Sequence, residues 1–471
     1  MDAFVLEKLK SLPALTVPDY GALNQAFLRA MHDPETKMVR RNPENGHPVF
    51  GAYLLSDSNE MVTWGILAVG HWLLNLDDRW IAPTYPDFYS EAFQVFLNEP
   101  HAVASEYWYL FYTNVLAGAV QQTLYRDDAL ALSHIKRSAQ TMQKLARSID
   151  YDFNAQGYDF QRGQPFCHRD VYRQPDSIGG YAYQMVFAGA ALGLEGCLEE
   201  GLKAVRRYEA FLENPWYEIP NGSAALFAAA WLQAHGYAND VEKAAAFVLD
   251  HRQGPLQLGN WGAESVDGLM MGWRGEDRQD AMHSAYSMES LMPMQFLLPA
   301  VRYVPALAEP VSNWVRHLLS AFQLFYGKGV HTLRESRPDL CAAVPYERLV
   351  HDAQTGDPVA CGDFCGHRSV YGAGYLMWVE ALVRPTQDPW IFALDLSLTD
   401  WVSRQETPVF LVQNPYMEEK TVCFRPARRW EKTCGNLGAW QVTLPPNTCR
   451  FFTVRAEQVV EWNANQKGNA K

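Results

Sequence analysis

The chain alternates between two kinds of helical segment. One kind is nearly free of charge and rich in Gly, Ala and aromatic residues, at 59–76, 106–125, 176–193, 220–236, 281–301 and 367–383. YWYLFYTNVLAGAVQQTL, SAALFAAAWLQAHG and YGAGYLMWVEALV are examples. The other kind, at 19–32, 86–98, 128–149, 197–214, 239–252 and 307–326, is studded with charge. There ALSHIKRSAQTMQKLARSI and GLKAVRRYEAFL show an apolar stripe of helical period and a polar face. A helix that is apolar all round has to be covered all round. Six such helices in an inner ring, screened by six amphipathic helices in an outer ring, satisfy that requirement, so the expected fold is mainly α, an (α/α)6 barrel. A solenoid would show a more regular repeat. Pro293 should kink the fifth inner helix.

The composition changes after Pro385. PVFLVQNP, KTVCFRP, AWQVTLPP and CRFFTV are short, β-branched or aromatic, and bounded by Pro, Asn or Gly, the pattern of strands. The expected division is a barrel domain over 1–385 and a small β-sandwich or sheet domain over 386–471, its strands within 390–462 and ANQKGNAK a frayed tail. A net charge of −13 without a basic stripe argues against nucleic acid as a partner. The longest uncharged run, GGYAYQMVFAGAALGL, is too short and mixed for a membrane span. MDAFVLEKLKSLP has no continuous apolar h-region, and the eight scattered cysteines are no disulfide scaffold, so a cytoplasmic location is the expectation.

In a double ring the inner helices run parallel, and the loops leading into them meet on one face. These loops are SDSNE, HAVASEYW, CHRDVYRQPD, NPWYEIPN, a long segment ending GWRGEDRQD, and CGDFCGHRS. They set Trp, Tyr, His and Arg beside acids, as the wall of a pocket would. Carboxylate acid–base chemistry suits such a pocket. Inverting glycoside hydrolysis needs one acid to protonate the leaving oxygen and a carboxylate across the cleft to activate water. The candidate acids are Glu106, Asp170, Asp176, Glu218, Glu264, Asp277 and Asp363, with Asp170 or Asp176 facing Asp277 or Asp363. Arg169, Arg173 and Arg368 are candidates to hold a charged group or tune those acids. Trp108, Trp216, Trp261 and Trp273 are candidate stacking platforms, and Tyr107, His168, Tyr172 and His367 complete the lining. Asp57, Asp176 and Asn221 also stand where helix caps would. Glu289 either faces the pocket or pairs with an inner arginine. Cys361, Cys365 and His367 lack the second half of a metal site, so no metal or cofactor is expected.

This arrangement resembles the (α/α)6-toroid carbohydrate enzymes, hydrolases and lyases, over the architecture of most of the chain. The CHRDVYRQPD loop resembles the matching loop of the linalool dehydratase/isomerase family, where a cysteine, an acidic turn and a second cysteine precede the third inner helix. Cys167 matches the first cysteine, Asp170 the acid, and Asp176 replaces the second cysteine. That resemblance implies a dehydratase/isomerase working through Cys167. Polysaccharide lyases on this fold use a Tyr or His base, a role for which His283 and Tyr286 are candidates. The expected function is inverting hydrolysis of a glycoside or oligosaccharide. The alternatives are a lyase or dehydratase/isomerase and a non-catalytic glycan-binding protein.

Overall fold

The computed structural model describes residues 7–54, 56–274, 284–327, 330–332, 337–361, 368–403, 405–434 and 438–463. The apolar segments form the helices α2 (Met61–Leu73), α3 (Tyr107–Thr123), α5 (Ser177–Ala190), α7 (Ile219–Ala234), α9 (Ser287–Leu291) with α10 (Met294–Tyr303), and α12 (Val370–Leu382). The break between α9 and α10 falls at Pro293, which has no N–H to continue the helical ladder. The amphipathic segments form α1 (Tyr20–His32), α4 (Ala129–Ser148), α6 (Cys197–Glu209), α8 (Val241–Val248) and α11 (Ala308–Ala321).

Packing among the apolar helices runs in a closed cycle: α2 on α3, α3 on α5, α5 on α7, α7 on α10, α9 on α12, and α12 back on α2. Every residue of α2 is buried. The amphipathic helices lie outside, α1 against α12, α4 against α3 and α5, α6 against α5 and α7, α8 against α7, and α11 against α10.

One expected outer helix does not form. Residues 86–98 contribute only the end of a 3-10 helix, Ala82–Phe88, and a hairpin of Tyr89–Ser90 with Val95–Phe96. Gln94, at φ 55°, turns the chain back into this hairpin, where a continuous α-helix would need φ near −60°. The turn still covers the ring. Tyr85 stacks on Trp64 and donates its hydroxyl to the Ala117 carbonyl at 3.1 Å, while the Trp64 indole donates to the Ile81 carbonyl at 3.0 Å.

Besides two-stranded hairpins, a three-stranded and a four-stranded sheet interrupt the helical part, both unanticipated from the sequence. Ala104–Glu106 pairs with Gly157–Asp159, which pairs with Gln164–Phe166. Ser284–Tyr286 pairs with Arg348–His351, which pairs with Pro358–Cys361, and His331–Thr332 adds a parallel edge. The first strand of each runs without a loop into an inner helix, α3 and α9 respectively.

Beyond α12 the chain passes directly into a five-stranded antiparallel sheet of Val383–Pro385, Phe392–Asp395, Val409–Asn414, Thr448–Arg455 and Gln458–Glu461. A ladder of Lys420–Phe424 with Trp440–Leu444 accompanies it, and Phe410, Phe424 and Trp440 pack together. The tail 464–471 lies outside the described residues. No described helix is long and apolar enough to cross a membrane.

A buried ion pair joins sheet and helices. Asp400 accepts from the Arg302 guanidinium at the end of α10 and from the Tyr303 hydroxyl. Removing one partner of a buried pair leaves an uncompensated charge, so Asp400→Ala should cost about 3–5 kcal/mol of unfolding free energy. Arg79→Ala, which breaks an exposed pair with Asp77, should cost under about 1 kcal/mol. Urea titrations of the two variants followed by circular dichroism check the contrast.

Candidate active site

The residue directly before each inner helix is Glu60, Glu106, Asp176, Glu218, Tyr286 or Ser369. A side chain at that position ordinarily accepts a hydrogen bond from its own first turn. Only Ser369 does so, from the Gly372 N–H at 2.9 Å. None of the four carboxylates caps its own helix, yet each gains from the positive end of the helix dipole.

Asp176 turns to the neighbouring helix instead. Its Oδ2 accepts from the N–H groups of Tyr217 at 2.8 Å and Glu218 at 3.1 Å, at the start of α7. Complete burial pushes its pKa up to about 7, against the opposing effect of those hydrogen bonds.

The other acids converge on Tyr109, in the first turn of α3. Its ring lies against Trp108, with centroids 3.7 Å apart, and its hydroxyl makes no hydrogen bond among the described residues. Burial first, and then the charges of Glu60, Glu106, Glu218 and Glu289, raise its pKa well above the ordinary phenol value, so it stays a donor. Tyr109 nevertheless keeps partial access to solvent.

Each acid is held differently. Glu60 Oε1 accepts from the Ser58 hydroxyl at 2.7 Å, its Oε2 has no hydrogen-bond partner among the described residues, and burial raises its pKa. Both oxygens of Glu106 accept from amides, Gln156 at 3.0 Å and Gln174 at 2.9 Å. Gln174 is itself fixed by the Trp108 N–H at 2.8 Å. Glu218 and Glu289 are buried at the starts of α7 and α9. Glu347, also buried, accepts from the Tyr53 hydroxyl at 2.5 Å, and Tyr371 donates to Tyr53 at 2.8 Å.

The two strand-to-helix junctions aim part of this set. Gly157 faces Glu106 across the ladder, and a Cβ there would lie 2.1 Å from the Ser105 carbonyl oxygen and 2.7 Å from the Glu106 Cα. Only glycine permits the approach. At the other junction Tyr286 faces Arg348, whose guanidinium lies 5.8 Å from the tyrosine ring. Along the rim, Trp273 lies between Tyr172 and Tyr217, at 6.1 and 6.4 Å.

Of the residues singled out in the sequence, Glu106 and Glu218 act electrostatically on Tyr109, Tyr172 lies beside Trp273, Tyr286 beside Arg348, and Asp176 caps α7. Asp170 is exposed and pairs with Arg173 at 3.0 Å. Cys167 donates its thiol to the Arg169 carbonyl at 3.0 Å in the same turn and shares no hydrogen bond with Asp176. His168 is exposed beside Phe166, and Arg169 lies over Tyr172. Tyr107 packs into the core against Phe111 and Phe153, and Trp108 is buried. Trp216 is buried and donates to the Gln253 carbonyl at 2.6 Å. Trp261 packs on His351, in a hairpin that also holds the half-buried Glu264. Arg368 is buried, bound to the Val344 carbonyl at 2.6 Å and lying over the Tyr346 ring, where it braces a loop. Asp277, His283, Asp363, Cys365 and His367 lie outside the described residues. No group of three or more His, Cys, Asp or Glu among the described residues is placed to hold a metal ion.

Tyr53, Glu60, Tyr109, Glu347 and Tyr371 escaped sequence reasoning. Glu60 had a usable signal, since it stands directly before an apolar helix as Glu106 and Glu218 do. Tyr109 had a weaker one, its place in the first turn after Glu106.

Asp176 has a sign-definite consequence. Its folded pKa, about 7, lies above the ordinary aspartate value of 3.8, so its contribution to stability is full at low pH and is lost as pH rises between those values. Asp176→Asn keeps an oxygen for the two N–H groups and removes the titration. Unfolding free energies from urea titrations between pH 4 and 8 should therefore fall less steeply for the variant than for the parent, by an amount on the order of a few kcal/mol.

No family model and no curated sequence matches the chain. Solved structures resemble it. Cellobiose 2-epimerase from Bacillus thermoamylovorans B4167 is 10% identical with a TM-score of 0.48, covering 81% of this chain and 100% of its own. A D-mannose isomerase is 10% identical with a TM-score of 0.44, covering 80% and 98%. A family 76 glycoside hydrolase from a bovine Bacteroides thetaiotaomicron strain is 8% identical with a TM-score of 0.48, covering 76% and 77%. These neighbours are carbohydrate-active enzymes of the (α/α)6-toroid type.

Proposed function

We propose that the protein is a carbohydrate-processing enzyme on an (α/α)6 toroid, with 1–385 as the catalytic domain and 386–471 as an accessory β domain. Within that class we propose an inverting glycoside hydrolase. The observation that carries the reading is the Tyr109 hydroxyl, which has no hydrogen bond among the described residues and lies within the combined negative field of Glu60, Glu106, Glu218 and Glu289.

Inverting hydrolysis needs two carboxyl groups in opposite protonation states. Glu60 suits the acid: burial favours its neutral form, and one oxygen is unclaimed. It would protonate the glycosidic oxygen as the bond to the anomeric carbon breaks. Glu106 suits the base, its oxygens oriented by two amides. It would take a proton from water as the water oxygen bonds to the anomeric carbon. Trp273, Tyr172 and Tyr217 would stack on sugar rings at the rim.

The carboxylates also favour one substrate class. A uronate would bring its own negative charge among them, whereas a neutral sugar offers hydroxyl donors to each. A uronate lyase therefore fits less well. A dehydratase/isomerase working through Cys167 fits less well too, because that thiol is engaged in the exposed turn.

The test is mass spectrometry of neutral oligosaccharides incubated with the protein, beside Glu60→Gln and Glu106→Gln. Hydrolysis adds one water across the cleaved bond, and each variant should lose about 10²–10⁴-fold in kcat with an unchanged melting temperature. The alkaline fall of kcat/KM should follow Glu60, because the reaction needs its protonated form. A product of unchanged mass would replace hydrolysis by epimerisation or isomerisation. Full activity in both variants would reject these two residues.

A further inference from the structure

The opposite ends of α2 and α3 carry a second concavity. Glu60 and Glu106 stand at the N-terminal ends of these helices. Trp72 and Gln122, near their C-terminal ends, line a cavity of about 460 Å3 together with residues of 397–401, 405–406 and 429–433. That volume lies in the range of small-molecule sites, roughly 300–1,000 Å3.

Its chemistry is that of a receptor for a small anion. Arg126 projects from the surface just beyond α3, and its side chain makes no hydrogen bond or ion pair among the described residues. The Arg429 guanidinium lies 3.9 Å from the centre of the Trp72 ring and donates to the Asn75 side chain at 3.3 Å, an arrangement that holds a second cation at the cavity wall. Asp400 contributes no free charge, since Arg302 and Tyr303 claim it. Glu406, exposed, is the remaining acid among the described lining residues. Trp401, only 6% exposed, meets Trp72 edge to face and carries a buried indole N–H with no acceptor among the described residues. An unpaired buried donor is unfavourable, and a ligand oxygen reaching it would satisfy it.

We propose that this cavity binds a small polyhydroxylated anion, a phosphorylated or carboxylated sugar. Its anionic group lies between Arg126 and Arg429, guanidinium being suited to planar or bidentate oxyanion recognition. Its body lies against the tryptophans, with hydroxyls donating to Glu406. The proposal stands apart from the catalytic reading, because none of these residues belongs to the cleft.

Calorimetric titration and tryptophan fluorescence of the whole protein test it, with glucose 6-phosphate, glucuronate, inorganic phosphate and glucose as probes and chloride at matched ionic strength. The expected result is saturable binding of glucose 6-phosphate or glucuronate that is tighter than that of phosphate and absent for glucose. Arg126→Glu should weaken it at least about tenfold, the loss of one charge-assisted contact. Arg126 is exposed, so the variant should keep the parent melting temperature. As a control, Arg79→Glu, at another exposed arginine, should bind as the parent does. Binding of neither acidic sugar, equal effects of chloride, or undiminished binding in Arg126→Glu would overturn the site. Inorganic phosphate matching glucose 6-phosphate would overturn the sugar component.

Discussion

The structure depends on one requirement: helices that are apolar all round must be covered all round. α2, α7 and α12 cannot meet solvent on any face without exposing large hydrophobic area, at about 25 cal/mol per Å2. A closed cycle of six such segments removes every inner edge, and the amphipathic helices cover the outer one. Closure fixes chain direction as well. The starts of helices far apart in sequence come together, as the shared influence of Glu60, Glu106, Glu218 and Glu289 on Tyr109 shows.

That convergence creates an electrostatic problem and supplies part of its remedy. Buried carboxylates repel one another and resist desolvation. Here each stands at or beside the start of a helix, where the dipole opposes the cost, and most have a dedicated donor: Ser58 for Glu60, two glutamines for Glu106, Tyr53 for Glu347. Asp176 serves the framework, tying the start of α7 to the end of the CHRDVYRQPD loop. A carboxylate before an inner helix can thus cap or remain available to the cleft, and the orientation of one side chain decides which.

This explains what the sequence disclosed. Helical periodicity located the inner helices to within a few residues, because burial on all sides leaves an unmistakable run of small and aromatic residues. It failed at 86–98, where the apolar pattern was real but the chain reverses at Gln94 into a short hairpin. It did not reveal the strands 104–106 and 284–286, too short to show alternation. At the cleft, Glu106, Glu218 and Trp273 were legible from their loops. Tyr107 and Tyr109 were not separable, because neighbouring residues in a first turn differ only by the angle between them, which sends one into the core and the other to the cleft floor. Glu347 had no local signal, since its place comes from pairing with a distant strand.

The hairpin behind Glu106 has a mechanical consequence. Its base is locked, because Gly157 and Glu106 are in contact too close for any other residue, while its tip, residues 161–165, is exposed to solvent. The two ends are therefore free to diverge at different rates. The tip can lengthen, shorten or change charge, resizing the approach to the cleft, without passing any displacement down to the carboxylate.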